Sequence, residues 1–507
     1  MNLLNRLDLW FPRGPINETS QASGLKWQVR NGVSVQIMES LAVGAFLTAY
    51  ALQLGASNFV IGLLAAIPAL SNLLQLPTVF MVDKVQNRRS IAVFAGLISR
   101  PALLIAVLAA FVTPPHLGLI LLLIAFSIRY AAGAVNTCAW NSWMRDFVPV
   151  KGRGLFNAKR LVWMTLFGTM AALAGGLMMD FWPKLTSLPK IYGFALLIFV
   201  AFLFGVAANL MLLKIPEPKM NVTPETKVTK ASLLLPLKDK NYRSLITFLF
   251  IWNFAVGLAT PFFTVHMLTR LDISLTLVMV LATLSSLANI AVLSAWGQIA
   301  DRFSFKTVLG VSAPLFLMCI FAWTFTTIQG PHSFTIALLV IIHILTGVAT
   351  GGVSLATGNI SMKLAKEHQA SSYLAVAAVA ASLAAGISPI IGGAFADILA
   401  NYKVGVTFDW TSPTRSVSKT AFELTHWDFY FIIAALLGMW SLHFLATIKE
   451  DGDTKDARVG RELFLSLRDG LSDMSPIGGS RESFHFPTPG RRVRQAKPKK
   501  DPNKPAA

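Results

Sequence analysis

Charged side chains are scarce in this sequence, since they make up 14% of its 507 residues. Soluble globular proteins carry about 25% charged residues, so this composition excludes an ordinary soluble enzyme. Cysteine is nearly absent, and Cys138 and Cys319 both lie in apolar stretches, which excludes a disulfide scaffold and a cysteine-based metal site. Acidic residues are outnumbered by basic ones, 25 against 44. In a chain that is 54% hydrophobic, the net charge of +19 does not indicate a nucleic-acid partner.

The sequence is rich in long apolar stretches. Each covers about 20 residues, and a helix of that length crosses a hydrocarbon core about 30 Å thick. Transmembrane strands would instead give alternating segments of about ten residues. We therefore predict an all-α polytopic membrane protein with twelve transmembrane helices. They are expected near residues 31–52, 58–81, 90–113, 117–140, 161–180, 191–213, 245–268, 273–297, 307–328, 334–358, 371–396 and 428–448.

The distribution of lysine and arginine predicts the orientation. With the N-terminus inside, most basic residues fall in cytoplasmic loops and tails, and this bias persists without the C-terminal tail. By the positive-inside rule, both termini are then cytoplasmic. The short outer loops favour a bacterial inner membrane, in which we expect a monomer embedded in the lipid bilayer. One outer loop, at 397–427, is long, and it either caps the outer mouth or is a tolerated insertion.

Polar segments divide the chain into five parts. A cytoplasmic segment at 1–30 precedes a six-helix bundle at 31–213, and a cytoplasmic central loop at 214–244 precedes a second bundle at 245–448. The basic tail at 449–507 contains several prolines and has the composition of a disordered cytoplasmic segment. It is either a solvated tail that reinforces the topology or a segment that binds anionic lipid headgroups.

The two halves of the chain share landmarks at a nearly constant displacement. Asp83-Lys84 recurs as Asp301-Arg302, Asn141 as Asn359, Gly175-Gly176 within one residue of Gly392-Gly393, and Asp180 as Asp397. This regularity indicates a duplicated six-helix unit, and hence two pseudo-symmetric six-helix bundles. Duplicated bundles place the ligand site between the halves, near the middle of the membrane.

Three segments carry a family resemblance. Residues 79–89 read Val-Phe-Met-Val-Asp-Lys-Val-Gln-Asn-Arg-Arg, residues 297–306 read Gly-Gln-Ile-Ala-Asp-Arg-Phe-Ser-Phe-Lys, and residues 129–133 read Arg-Tyr-Ala-Ala-Gly. The first two resemble the cytoplasmic loop motif Gly-x-x-x-Asp-Arg/Lys-x-Gly-x-Arg/Lys-Arg/Lys of the major facilitator superfamily, and the third resembles its Arg-x-x-x-Gly motif. The resemblance implies the fold of that superfamily and a role in secondary transport, but it does not identify the substrate.

One departure from the superfamily bears on the transport mode. Its proton-driven antiporters carry a Gly-Pro-x-x-Gly-Gly signature in the fifth span. Here residues 171–176 of that span contain no proline, and a Ser-Pro-Ile-Ile-Gly-Gly version lies at 388–393, in the eleventh span. This difference disfavours drug–proton antiport.

Two ionisable residues lie deep in predicted spans, where an unpaired charge costs about 2.5–3.5 kcal/mol. Glu39 in the first span lies about 12 Å from the inner face, and Arg129 in the fourth span about 16 Å, at 1.5 Å per residue. The resemblance implies that spans one, four, seven and ten line the cavity, so these side chains are expected to face each other. Three roles remain open: a structural pair, a proton-coupling switch in which the carboxylate holds either a proton or the arginine, and direct contact with substrate.

Other polar residues at similar depth complete the predicted lining of the transport site. Gln36 lies on the same helix face as Glu39, and Asn136 lies two turns below Arg129. Asn253 and His343 occupy the seventh and tenth spans. Lone histidines such as His343 are more often hydrogen-bonded packing residues than ligands.

The loop motif also predicts a cytoplasmic gate. By resemblance, Asp83 and Asp301 would form interhelical ion pairs that latch the cytoplasmic side in one state, with Arg145 and Lys363 as expected partners. The alternative is that these charges are exposed and only set the topology. The remaining motif residues are Lys84, Arg88, Arg89, Gly297, Arg302 and Lys306.

The sequence offers no Walker loop, no convincing cluster of metal ligands and no Ser-His-Asp signature, so we predict neither enzymatic activity nor a cofactor or metal. The leading hypothesis is a secondary active transporter that moves a small solute by alternating access, with a proton gradient as the expected energy source. Few fixed charges in the lining argue for a neutral or singly charged solute. The alternative is a non-transporting membrane assembly or delivery factor built on the same fold.

Overall fold

Helices account for most of the structure, a computed structural model that describes residues 10–12, 14, 16–220, 230–327, 332–366, 369–412, 415–424 and 426–450. Among these residues, twelve helices are long and apolar enough to cross a membrane, which confirms the predicted fold class. They are numbered here spans 1 to 12: Glu18–Gln53, Asn58–Val85, Arg88–Phe111, Pro115–Phe147, Arg153–Leu185, Lys190–Leu212, Lys240–Thr269, Leu275–Arg302, Phe305–Thr326, Phe334–Lys363, Ala370–Leu399 and His426–Thr447.

Parts of three predicted segments lie outside the described residues. These parts are residues 1–9 of the N-terminal segment, 221–229 of the central loop and 451–507 of the basic tail. The described part of the central loop includes a short helix, Lys230–Lys238, directly before span 7.

Several helices begin earlier than the apolar stretches predict, and span 1 shows why. It starts at Glu18, well before residue 31, because the side chain of Asn17 caps the helix by accepting a hydrogen bond from the backbone N–H of Ser20 at 2.8 Å. A cap defines where the backbone becomes helical, whereas hydropathy marks only where the side chains become apolar. The prediction therefore located the membrane-crossing part of the helix and missed its polar first turns.

Span 1 is interrupted directly after its central polar residues. Its first helical segment ends at Ala42, Val43 is extended, and Gly44 has a φ of +65° before the helix resumes at Ala45. A side chain at position 44 would disfavour this left-handed region, which glycine adopts at little cost. The break leaves the outer part of span 1 as a separate helical segment, Ala45–Gln53.

The helix packing repeats between the two halves. Span 1 packs on spans 5 and 6 as span 7 packs on spans 11 and 12, and the pairing of spans 3 and 4 recurs in spans 9 and 10. Between the halves, span 2 packs along span 11 and span 5 against span 8. Gly62 and Gly393 permit the first of these contacts, because a Cβ atom there would lie 2.1 Å from the carbonyl oxygen of Pro389 and 2.2 Å from that of Asn58, respectively.

The long loop between spans 11 and 12 contains a β-hairpin that the all-α prediction did not include. Strand β1, Val404–Ser412, pairs antiparallel with strand β2, Arg415–Leu424, and the register is irregular between Val406 and Thr407. The signal was present, because apolar and other residues alternate along β1 with a period of two, which is typical of a strand.

Candidate functional site

A cavity of about 800 Å³ lies between the two halves, and we call it the central cavity. Spans 1, 5, 7, 8, 9 and 10 contribute its walls. Three of the residues predicted to line a transport site, Gln36, Glu39 and His343, are among them. Its position between the halves is where a duplicated bundle is expected to hold a ligand.

Glu39 and Arg129 form an ion pair at the edge of this cavity. Nη2 of Arg129 lies 2.6 Å from Oε1 of Glu39. The Arg129 side chain is buried and its guanidinium stacks on the Tyr130 ring at 4.6 Å, whereas the Glu39 side chain is 38% exposed. The structure thus places a reachable carboxylate against a fixed, permanently charged cation, an arrangement that can exchange a proton for an ion pair.

A second cavity of about 420 Å³ lies inside the first half, and we call it the arginine cavity. Spans 1 to 5 supply nearly all of its walls, and its charged lining residues are Glu39, Arg100, Arg129 and Arg160. Glu39 lines both this cavity and the central one. Glu39 is therefore the residue that the two cavities share.

The remaining predicted lining residues are more scattered. Asn136 lines the arginine cavity and donates to the backbone oxygen of Ala92 at 2.6 Å. Asn253 lies in a separate pocket of about 430 Å³ formed by spans 7, 10 and 11, so the structure does not bring it to the central cavity. His343 lines the central cavity and bonds through Nδ1 to the backbone oxygen of its own helix at Leu339, at 2.8 Å.

Arg88 and Arg89 of the first loop motif are buried. They lie at the face where span 1 begins and span 12 ends, and we call it the terminal face. The backbone N–H groups of Arg88 and Arg89 donate to the carboxylate of Glu217 at 2.7 and 3.0 Å, and Nε of Arg88 donates to it at 3.1 Å. Arg88 also pairs with Asp146. A buried carboxylate thus caps the start of span 3 and neutralises its first residue.

The second half contains the corresponding arrangement. Glu450, just after span 12, accepts hydrogen bonds from the backbone N–H groups of Phe305 and Lys306 at 3.2 and 2.7 Å. Nζ of Lys363 lies 2.8 Å from the same carboxylate. In each half, a glutamate that follows the last span therefore holds the beginning of the third span, and we call Glu217 and Glu450 the terminal-face caps.

The ion pairs predicted for the two motif aspartates are not formed. Asp83 and Asp301 are exposed and make no ion pair with any described residue. Arg145 lies 3.4 Å from the adjacent Asp146, and Lys363 is bound by Glu450. The reason is that Asp146 and the terminal-face cap offer these cations nearer carboxylates. The other motif residues, Lys84, Gly297 and Arg302, take no part in the terminal-face caps, while Lys306 does so through its backbone.

Two carboxylates join the halves at the opposite face. Asp397, at the end of span 11, accepts hydrogen bonds from the backbone N–H groups of Asn58 and Phe59 at 3.0 and 2.9 Å, at the start of span 2. In the same manner Asp180, near the end of span 5, accepts from Leu275 and Thr276 at 3.2 and 3.0 Å, at the start of span 8. We call these two contacts the opposite-face clamp. A carboxylate at a helix N-terminus is stabilised by the free N–H groups and the helix dipole.

The family model of the major facilitator superfamily matches the chain twice, over residues 32–267 and 244–477. Together these matches cover most of the sequence and both halves. The chain belongs to the major facilitator superfamily. No curated protein sequence gave a significant match.

Solved structures of transporters share this superfamily fold. The nucleoside transporter NupG superposes with a TM-score of 0.62 at 14% sequence identity, covering 84% of this chain and 100% of that one. A bacterial homologue of the human lysosomal transporter Spinster, in an inward-facing and unoccupied conformation, gives a TM-score of 0.57 at 14% identity, covering 91% of this chain and 100% of that one. At such identities the likeness shows the fold alone.

Sequence reasoning missed much of the site of this superfamily member. The aromatic walls of the central cavity come from Trp252, Phe263 and Trp323, which in the sequence look like ordinary apolar residues of a span.

A stripe of hydroxyl side chains, spaced four residues apart along span 10, also lines the central cavity, and this spacing was visible in the sequence. Thr350 donates to a backbone oxygen of its own helix at 2.7 Å, so its oxygen can still accept from a ligand. The stripe consists of Thr346, Thr350 and Ser354.

Proposed function

We propose that this protein is a secondary active transporter that moves a small solute by alternating access and draws on a proton gradient. The observation that carries the proposal is the Glu39–Arg129 pair, which opens into the central cavity between two pseudo-symmetric halves. Membership of the major facilitator superfamily supports the transport class, and the pair supports the coupling ion. A proton on Glu39 would release Arg129 and change the charge of the site without any movement of the backbone.

The contacts at the two faces support a state that is closed at one face. At the opposite face, the clamp and the close packing of spans 2 and 11 hold the halves together. At the terminal face, each ion pair between described residues joins two residues of the same half. We propose that this state opens toward the terminal face. By the positive-inside rule that face is cytoplasmic, so both termini lie in the cytoplasm, and we place the protein in an inner membrane as a monomer.

Transport itself is testable with purified protein in proteoliposomes. We expect a panel of small solutes, added under an imposed pH gradient, to include at least one that carries protons across the membrane. The movement is recorded with a pH-sensitive dye in the lumen, because co-transport of one proton with a monoanion is electrically neutral. Liposomes without protein are the control. If well-folded protein gives no solute-dependent proton movement with a broad panel in either direction of the gradient, the transport proposal fails and the assembly or delivery role is favoured.

The opposite-face clamp gives a second test. Asp180→Asn combined with Asp397→Asn removes both negative charges from the helix starts, and we expect a shift of roughly tenfold or more toward the state open at that face. The measurement is the distance distribution between spin labels at Ser187 and Asn401, which are exposed on different halves. Because labelling uses cysteine, Cys138 and Cys319 are first replaced by serine.

The matched control for this experiment is Asp272→Asn. Asp272 is an exposed carboxylate on the same face that caps neither helix start. We expect this variant to keep the distance distribution of the parent. An unchanged distribution in the double variant, with the protein folded, would show that the clamp does not hold that face closed.

A further inference from the structure

Positive charge is in excess around the arginine cavity. Arg100, Arg129 and Arg160 line it, and among the described residues Glu39 is the one acidic side chain in its lining. Guanidinium groups stay protonated in proteins, so the lining carries two positive charges that no carboxylate of the cavity balances. Buried charges in membrane proteins are costly and mark substrate or ion pathways.

Arg100 shows the imbalance most clearly. Its residue surface is only 8% exposed, yet its Nε has no hydrogen-bond partner among the described residues. Nη1 is 3.1 Å from the neutral hydroxyl of Ser99, and that hydroxyl is already committed to the backbone oxygen of Arg129 at 2.9 Å. A buried guanidinium thus faces a polar cavity with neutral support only, and its free N–H groups are suited to an anionic oxygen.

Arg160 enters the same cavity from span 5. Its guanidinium stacks on the Trp140 ring at 4.9 Å, and its Nε is buried without a partner among the described residues. Gly32 of span 1 makes room for it, since a Cβ atom at that position would lie 2.8 Å from this nitrogen. The stacking orients the arginine, and its Nε remains without a hydrogen-bond partner among the described residues.

The neighbouring central cavity has the opposite character. Large apolar side chains dominate its walls, among them Trp252, Phe263 and Trp323. Glu39 lines both cavities. A ligand that reaches past Glu39 would therefore place a charged end among arginines and an apolar body between aromatic rings.

We propose that the arginine cavity binds the anionic group of the transported solute, which is an amphipathic organic anion carrying a carboxylate, phosphate or sulfonate. The inference rests on the proposed transport function and adds the substrate class. Protonation of Glu39 removes the counter-charge of Arg129, so uptake of a proton strengthens binding of the anion, and by linkage the anion strengthens binding of the proton. The titratable or charged groups that face Glu39 in the two cavities are Arg129 and Tyr130 on span 4, Arg100 on span 3, Arg160 on span 5 and His343 on span 10.

Binding to the full-length protein in nanodiscs tests the site. The probes are 2-naphthalenesulfonate and its neutral match, 2-naphthalenesulfonamide, because a sulfonate keeps its charge across the pH range used. We expect the sulfonate to bind at least about tenfold more tightly than the sulfonamide, and Arg100→Gln and Arg160→Gln each to weaken it by about tenfold or more. Glu39→Gln, which mimics the protonated carboxylate, should bind it more tightly and remove its pH dependence.

Arg243→Gln is the matched control, because Arg243 is an exposed arginine at the start of span 7, outside both cavities. It should bind the sulfonate like the parent. If Arg100→Gln does not fold, the affinities of Arg160→Gln and Arg100→Lys for the sulfonate still test the anion site. Equal affinity for the two probes, no binding of either, or unchanged affinity in folded arginine variants would overturn the proposal.

The same variants separate this inference from the transport function. Charge-selective binding without any solute-dependent proton movement in proteoliposomes would support the anion site and contradict the transport function. Conversely, proton movement driven by neutral solutes and unaffected by Arg160→Gln would support the transport function and contradict the anion site.

Discussion

Glu39→Gln is expected to abolish proton-driven solute accumulation, with a loss of at least about 100-fold, the size typical of removing an essential proton-transfer group. The glutamine keeps the shape of the side chain and can still accept a hydrogen bond from Arg129, but it cannot take up or release a proton. Exchange of labelled for unlabelled solute, which needs no net proton movement, should persist. The measurement is uptake into proteoliposomes with and without a pH gradient, followed by counterflow.

The control is Glu18→Gln, which changes the same residue type on the same span, in its exposed first turn. It should transport like the parent. Full proton-driven accumulation by a folded Glu39→Gln protein would refute the coupling role and leave the Glu39–Arg129 pair as a structural contact.

The largest effect on stability is expected from Glu217→Gln. The Glu217 side chain is fully buried and holds two backbone N–H groups and the guanidinium of Arg88. Removing one partner of a buried ion pair costs about 3–5 kcal/mol when the other charge is left uncompensated. Because Arg88 keeps the partly exposed Asp146 as a second carboxylate partner, we expect a loss at the lower end of that range. We expect a clearly lower apparent Tm in detergent and a shorter half-life of the folded protein at elevated temperature.

Two comparisons define this prediction. Asp301→Asn changes an exposed carboxylate at the same face that has no ion-pair partner among the described residues, and its stability should equal that of the parent. Glu217→Gln combined with Arg88→Met removes both charges, so it should recover part of the lost stability. An apparent Tm of Glu217→Gln within error of the parent would mean that the cap contributes little.

Hydropathy alone could predict the twelve spans, because crossing a bilayer requires apolar length and almost nothing else. Similar depth along the helix, together with the family resemblance that places spans 1 and 4 at the cavity, predicted that Glu39 and Arg129 face each other, since charges in a membrane interior need partners. Helix starts were missed at Asn17, where a cap and not hydropathy sets the boundary. The hairpin at Val404–Ser412 and Arg415–Leu424 was not predicted, although the period of two along its first strand was visible. Hydropathy identifies long apolar stretches, and these strands are not such stretches.

The contacts between residues that lie far apart in the chain could not be predicted from the sequence. Glu217 and Glu450 each follow a span and belong to no recognised motif, so nothing local indicates that they cap the third span of their half. The loop motif instead predicted interhelical ion pairs for Asp83 and Asp301, which are exposed in this structure. Asp180 and Asp397 were recognised as repeat landmarks, but their partners at the starts of spans 8 and 2 emerge only from the packing of the two halves.

The opposite-face clamp is reciprocal, and this has a consequence for the origin of the chain. Asp180 of the first half binds the second half through the position that corresponds to the one by which Asp397 binds the first. Contacts of this kind are the signature of an isologous dimer interface, in which a surface recognises a second copy of itself. A single six-helix ancestor, before gene duplication, would already have carried both sides of this contact and could assemble as a homodimer without any new residue. The two halves are no longer equivalent, since the Glu39–Arg129 pair lies within the first half.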